Sequence, residues 1–497
     1  MTSPLTPKKT LECIANHDFA TLINSQVEQP PGTMLPDPAL SFTIPSIHDD
    51  ATLECRIYHP QSLTVNPRAP PWRKHAAIVA HPYAPLGGSY DDAVVETVSA
   101  TLLRQGFLVG TFNFRGAGNS AGRTSWTARA EGVDYMSFVG FVYHYVHYLD
   151  PFRSRPGSPT GLPSSPPPLD TASQSAAEGP ATEPIDPPVF LHCGYSYGAM
   201  ITKHLPPLSE ILRHFTAPKT ASAAADIRLR AQHLAEQQNI ILASAREAML
   251  RQNSTVSHRK AAFGIRVGGD EDKRRSQDYH GGRRSFAIDA EDRIRAGVAE
   301  LMKKAKSHQL HIHHKRKAAS KEEREAPVVA KEGEEVHEHE DKEPDTLPPV
   351  AGLVFPRAAY LLVSPPVGWA TSLMTLNLGN PMSSIFGRLP RPARGSRDRN
   401  KDETGQSTGA AESNKAERQK LVENPTLAIY GDSDMFVAVR RFREWAARLQ
   451  AVPGSRFRAV EVSTAGHFYI EEGAARRLAD AVRAFSEGLV VARSTEV

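Results

Sequence analysis

Ser196 stands at the centre of HCGYSYGAM, residues 192–200, with Gly194 and Gly198 spaced evenly on either side. The apolar run Val189-Phe190-Leu191 precedes it and YGAMITKHL follows, so the serine falls where a strand gives way to a helix. At such a turn the tip residue is forced into a strained conformation, and its neighbours must be small for strand and helix to approach. The chemistry open to a hydroxyl held there is nucleophilic attack on an acyl carbon. The helix beginning at Tyr197 favours negative charge at the same point.

A serine hydroxyl is a weak nucleophile and needs a base that a third group orients. In the order nucleophile, acid, base, an acid closes a later strand and a histidine follows the last one. PTLAIYG runs into Gly431-Asp432-Ser433-Asp434, and RFRAVEVSTAG runs into Gly466-His467-Phe468. Asp434 is preferred over Asp432, which such a turn leaves to satisfy its own amides. The alternatives are that Asp434 only caps the next helix and that His467 is a satisfied surface histidine. Acyl transfer also needs two donors for an oxyanion. One is the N–H of Tyr197, and the other belongs in the loop HPYAPLGGSYDD, where Pro82 has no N–H and Tyr83 is the expected donor. Gly87 and Gly88 let that loop fold close, unless it is a simple turn.

The elements that must carry these residues form a strand-helix alternation. SFTIPS and ATLECRIYHP read as a hairpin across His48-Asp49-Asp50. Strands follow at 74–83, 106–116, 188–196, 358–367 and in PTLAIYG and RFRAVEVSTAG; helices follow at 91–106, 131–149, from Tyr197, in MFVAVRRFREWAARLQ and in EEGAARRLADAVRAFSEGL. Three insertions interrupt the pattern. Residues 151–187 are Pro/Ser-rich and are expected to be disordered. Residues 206–350 are expected to be partly helical, at about 222–251 and 288–306, and mostly solvated, and 388–420 reads as a polar loop. The predicted division is an N-terminal extension at 1–40, with a weak helix, and core pieces at 41–150, 351–387 and 421–490. The turn around Ser196 takes 188–205, and 491–497 is a tail. Without the insertions, roughly 250 residues make one α/β domain, a mostly parallel sheet with helices on both faces.

Ser196, Asp434 and His467 in that order, with HPYAPLGG, NFRGAGNSAG and GYSYGA, resemble the α/β-hydrolase superfamily. The combination is similar to small serine hydrolases related to dienelactone hydrolases and S9/S33 peptidases. His81-Pro82 stands where many members carry His-Gly. The resemblance covers the core and none of the insertions. It implies an α/β-hydrolase fold and a Ser-His-Asp mechanism without metal or organic cofactor. In that mechanism Ser196 attacks, His467 moves the proton, Asp434 orients the imidazole, and water releases the acyl group.

Composition narrows the remaining classes. The 497 residues carry a net charge of +4, and their cations are interspersed with acids, so no nucleic-acid signature emerges. Cys13, Cys55 and Cys193 are three cysteines at unrelated spacings, which form neither a disulfide framework nor a metal pair and fit a reducing, cytoplasmic setting. The N-terminus lacks the apolar stretch of a signal peptide, and SFVGFVYHYVHYL, cut by two histidines, reads as an amphipathic or buried helix, not a membrane span. GAGNSA at 116–121 loosely matches a dinucleotide loop but reads as structural, because the polar stretch after it is no tightly packed helix. His308, His311, His313 and His314 lie in a basic solvated run, and 332–343 is an acidic solvated face. Cys193 reads as core, and Ser494-Thr495-Glu496-Val497 as a frayed end in preference to a peptide for strand addition.

The expectation is a serine hydrolase acting on a small-molecule carboxylic ester or thioester. The alternatives are a non-catalytic scaffold that recruits protein partners through its insertions, and a peptidase or amidase.

Overall fold

The computed structural model describes residues 35–125, 127–152, 186–260, 296–301, 345–366 and 415–491. The weak N-terminal helix, most of the Pro/Ser-rich stretch, the histidine and acidic runs, most of 388–420 and the last residues lie outside these. Eight strands form one sheet: β1 (Leu40–Pro45), β2 (Thr52–Tyr58), β3 (Ala76–Ala80), β4 (Leu108–Phe112), β5 (Val189–Tyr195), β6 (Arg357–Val363), β7 (Thr426–Gly431) and β8 (Phe457–Val462). Their order is β1-β2-β4-β3-β5-β6-β7-β8. All neighbours from β4 to β8 pair in parallel, while β2 is antiparallel to both β1 and β4. From β3 the chain turns outward to β4 and then crosses back to β5. The carboxyl ends of β3 and β5 therefore flank the point where strand order reverses, which is where parallel sheets gather their ligands.

The strands of this centre are buried on both faces. AAIVA in β3 and VFLHCGY in β5 are buried throughout, as a strand covered by helices on two sides must be. One face is covered by α1 (Ala93–Arg104) and by α7 (Ala474–Val491), with Val98, Leu102, Leu478 and Val482 against Val79, Leu191 and Ile429. The other carries α2 (Arg129–Tyr148), α3 (Tyr197–His204) and α4 (Leu208–Thr216), followed by α5 (Ala223–Lys260). α6 (Val439–Gln450) packs Phe442, Ala446 and Leu449 beside β6 and β7. The expected SFVGFVYHYVHYL helix is the buried part of α2, and no helix among the described residues is long and apolar enough to cross a membrane.

Two stretches differ from expectation. Residues 208–235 are not a solvated appendage: Leu208, Ile211, Phe215, Ile227 and Leu234 are buried in the core that holds α2. Their apolar spacing is amphipathic, and the low complexity further along masked it. Part of the expected polar loop, 415–420, begins a helix over 415–423. Lys420 of this helix is buried, and its Nζ donates to the carbonyls of Thr202, Lys203 and Leu205, satisfying the open C-terminal end of α3. Glu417 meets Lys203 at 3.3 Å and His204 at 3.2 Å. The helix carrying the Ser196 turn is thereby anchored at its far end by a segment more than 200 residues away in sequence.

Candidate active site

Ser196 caps β5 with φ 53° and ψ −114°, a left-handed backbone that side chains rarely adopt. Close packing imposes it. A Cβ at Gly194 would overlap the backbone of Gly198, and one at Gly198 would lie 2.5 Å from the Ala80 carbonyl oxygen. The two glycines let β5, α3 and the end of β3 converge.

The structure brings the three residues of the expected relay together. Ser196 Oγ lies 2.8 Å from His467 Nε2, and His467 Nδ1 lies 2.8 Å from Asp434 Oδ2 and 3.0 Å from Oδ1. Asp434 and His467 are buried, 5% and 6% exposed. Asp434 also accepts from the N–H groups of Phe436 and Val437 through Oδ1. One carboxylate thus meets His467 and takes the turn amides that were expected to fall to Asp432; it does not cap the following helix, whose N-cap is Ala438. The capped turn has a second consequence. α6 starts only at Val439, so Met435–Ala438 is loop where the pattern suggested helix, and Met435 and Phe436 are left exposed.

Tyr197 opens α3, so its N–H is one of the first helical donors without an intrahelical acceptor. Tyr83 opens a 3₁₀ turn over Ala84–Leu86, in which Leu86 and Gly88 donate back to its carbonyl. The rings of Tyr83 and Tyr197 are 5.2 Å apart, so the two loops expected to supply oxyanion donors are neighbours.

His81 explains the His-Pro pair. It is fully buried; its Nε2 accepts from the Phe114 N–H at 2.9 Å, which leaves the proton on Nδ1 to be donated to the Pro82 carbonyl. Burial holds its pKa down to about 4, consistent with a neutral ring. The NFRGAG segment completes the brace. Asn113 accepts from the Tyr90 N–H and donates to Glu54, whose carboxylate also takes the Asn119 N–H, so 116–121 is a structural loop tied to β2. Arg115 joins Asp134 at 2.7 Å and Asp49 at 2.9 Å.

Spacing alone did not disclose Tyr195. Its hydroxyl donates to the His467 carbonyl at 2.9 Å, and its ring lies 5.4 Å from the imidazole. One residue thus ties the serine turn to the histidine loop. Phe436 packs on the imidazole from another side, at 4.8 Å. Asp92 caps α1 by accepting from Val94 and Val95; burial raises its pKa to about 6, against those two hydrogen bonds and the attraction of His467. Cys193 is buried, as expected. Among the described residues no group of acids, histidines or cysteines is arranged to hold a metal ion.

No family model matches the chain, and no curated protein does. Solved structures to which it is similar include an alpha-beta serine hydrolase homologue from Coxiella burnetii, at 12% identity, TM-score 0.36, covering 90% of this chain and 98% of that one. A serine hydrolase without lid from Xanthomonas campestris is 14% identical, with TM-score 0.35 and coverage of 94% and 100%. An esterase from Pyrococcus furiosus is 12% identical, with TM-score 0.35 and coverage of 90% and 89%. The α/β-hydrolase fold of this chain rests on its own strand order, the crossover between β3 and β5, and the strained turn at Ser196.

Proposed function

We propose that the protein is a serine hydrolase that cleaves a carboxylic ester or thioester through an acyl-enzyme. The observation that carries this reading is the continuous relay of 2.8 Å contacts from Ser196 Oγ through His467 to Asp434. Ser196 Oγ attacks the carbonyl carbon while His467 Nε2 takes its proton. Asp434, bonded to Nδ1, keeps the free ring nitrogen facing the serine and stabilises the imidazolium. The N–H groups of Tyr83 and Tyr197 receive the oxyanion, supported by the N-terminus of α3. His467 returns the proton to the departing alcohol or thiol, then draws one from the water that attacks the acyl carbon and gives it to Ser196 Oγ as the acid is released. Each step uses side chains and backbone donors of this chain. Burial of Asp434 and His467 strengthens their mutual interaction.

The test is labelling of the full-length protein by a fluorophosphonate. Labelling that disappears in Ser196→Ala and falls sharply in His467→Ala supports the reading. A folded wild type that neither labels nor hydrolyses any acceptor ester overturns it in favour of a scaffold role.

A further inference from the structure

Eleven large apolar side chains are exposed among the described residues, and four of them lie on the loops that carry Tyr83, Asp434 and His467. Leu86 lies three residues after Tyr83, Met435 and Phe436 directly follow Asp434, and Ile470 lies three after His467; they are 46%, 80%, 37% and 40% exposed. They come from the loops after β3, β7 and β8, all at the carboxyl edge of the parallel strands. Phe436 and Phe468 form an aromatic wall beside His467, with ring centroids 4.8 and 5.4 Å from the imidazole. Apolar surface held open beside a nucleophile is costly in water and is covered when substrate arrives.

The charges on these loops are of one sign. HPYAPLGGSYDD, DSDMFVA and STAGHFYIEEG carry Asp91, Asp92, Asp432, Glu471 and Glu472 besides Asp434, and contain no lysine or arginine. Among the described residues, two guanidinium groups from elsewhere reach these loops, Arg56 paired with Asp91 and Arg477 donating to Ser463, Thr464 and the Glu472 carbonyl, and the acids outnumber them. Such a rim attracts methylenes and rings and repels anions.

Resting on the serine-hydrolase reading, we propose that the site takes an uncharged, apolar acyl group, aliphatic or aromatic, lying across Leu86, Met435, Phe436 and Ile470, and turns away acyl groups that carry a carboxylate. Specificity is then a difference in kcat/KM between acyl chains.

The experiment measures kcat/KM of the full-length protein for 4-nitrophenyl esters from acetate to octanoate, and for the hemiglutarate against the valerate. Covering each methylene by half gives a rise of about twofold per methylene, about 60-fold over the series. The doubly substituted Met435→Ser/Ile470→Ser protein, altered only at exposed positions, is expected to lower the octanoate-to-acetate ratio about tenfold, and the hemiglutarate is expected to react at least about tenfold more slowly than the valerate. A flat series in a protein that labels with fluorophosphonate, a ratio unchanged by the double substitution, or equal rates for hemiglutarate and valerate overturns the proposal while leaving the serine assignment intact. Calorimetric binding of octanamide, which needs no chemistry, separates the other case. If nothing labels but octanamide binds the wild type and not the double variant, the apolar site stands and the hydrolase reading falls. If octanamide does not bind either, the apolar site falls as well.

Discussion

Tyr195→Phe removes one oxygen atom from the centre of the molecule and tests whether the serine turn and the histidine loop act as one unit. Tyr195 is 1% exposed, and its hydroxyl donates to the His467 carbonyl at 2.9 Å. The phenyl ring keeps the packing against the imidazole. The loss is therefore the hydrogen bond, roughly 0.5–1.5 kcal/mol net, plus about 1–3 kcal/mol where the His467 carbonyl is left without a partner. Because this hydrogen bond is buried the two add to about 1.5–4.5 kcal/mol, equivalent to a fall in Tm of about 3–18 °C for a domain of this size. The effect on turnover is separate from that on stability. Displacement of reacting groups by about 1 Å costs on the order of a hundredfold, so kcat is expected to fall about ten- to a hundredfold with little change in KM. The assays are thermal unfolding followed by circular dichroism, and steady-state hydrolysis of a 4-nitrophenyl ester together with the rate of fluorophosphonate labelling. A Tm lowered by the stated amount with kcat and labelling rate unchanged would refute the positioning role, because the hydroxyl would then support only the fold.

Three further outcomes follow from the same geometry. Asp434→Asn is expected to lower kcat about 10³- to 10⁴-fold with little loss of stability. The amide oxygen must stay with the N–H groups of Phe436 and Val437, so the NH₂ faces His467 Nδ1 and forces the wrong tautomer; a Tm unchanged within a few degrees and lost ester hydrolysis are the joint check. Gly198→Ala puts a methyl 2.5 Å from the Ala80 carbonyl oxygen, and is expected to cost about 1–3 kcal/mol or more in chemical denaturation and to abolish labelling. Asp92 has its pKa raised from the ordinary carboxylate value to about 6, mainly by burial, so it contributes stability that is full below the unfolded value of 3.8 and lost as pH rises through about 6. Asp92→Asn keeps the cap on α1 without the titration, and the Tm of the variant relative to wild type is expected to rise between pH 4 and pH 8; a difference independent of pH would remove this account.

Local sterics made part of this protein legible without a structure. Two glycines around Ser196, an apolar run before it and helix-forming residues after it specify a tight strand-to-helix turn, because the clash that Gly194 avoids is with Gly198 and Ala199, at most five positions away. The period of apolar residues likewise disclosed each strand of the sheet and the course of α1, which the structure caps with Asp92 and follows with a left-handed Gly106. Only the assembled sheet decided the rest. Asp434, which the sequence already favoured over Asp432, comes within 2.8 Å of His467 only because the loops after β7 and β8 lie side by side, a consequence of parallel pairing that local pattern does not encode. The hydroxyl of Tyr195 reaches a carbonyl 272 positions away. The proton on His81 resides on Nδ1 because the Phe114 amide, from the neighbouring strand's exit, occupies Nε2. Residues 208–235 belong to the core because α2 presents an apolar face that Leu208, Ile211, Phe215, Ile227 and Leu234 help to cover, a partner that their own amphipathic spacing does not name. Short-range exclusion is written residue by residue, whereas partners brought together across hundreds of positions exist only once burial of the whole sheet has offset the entropy of closing those loops.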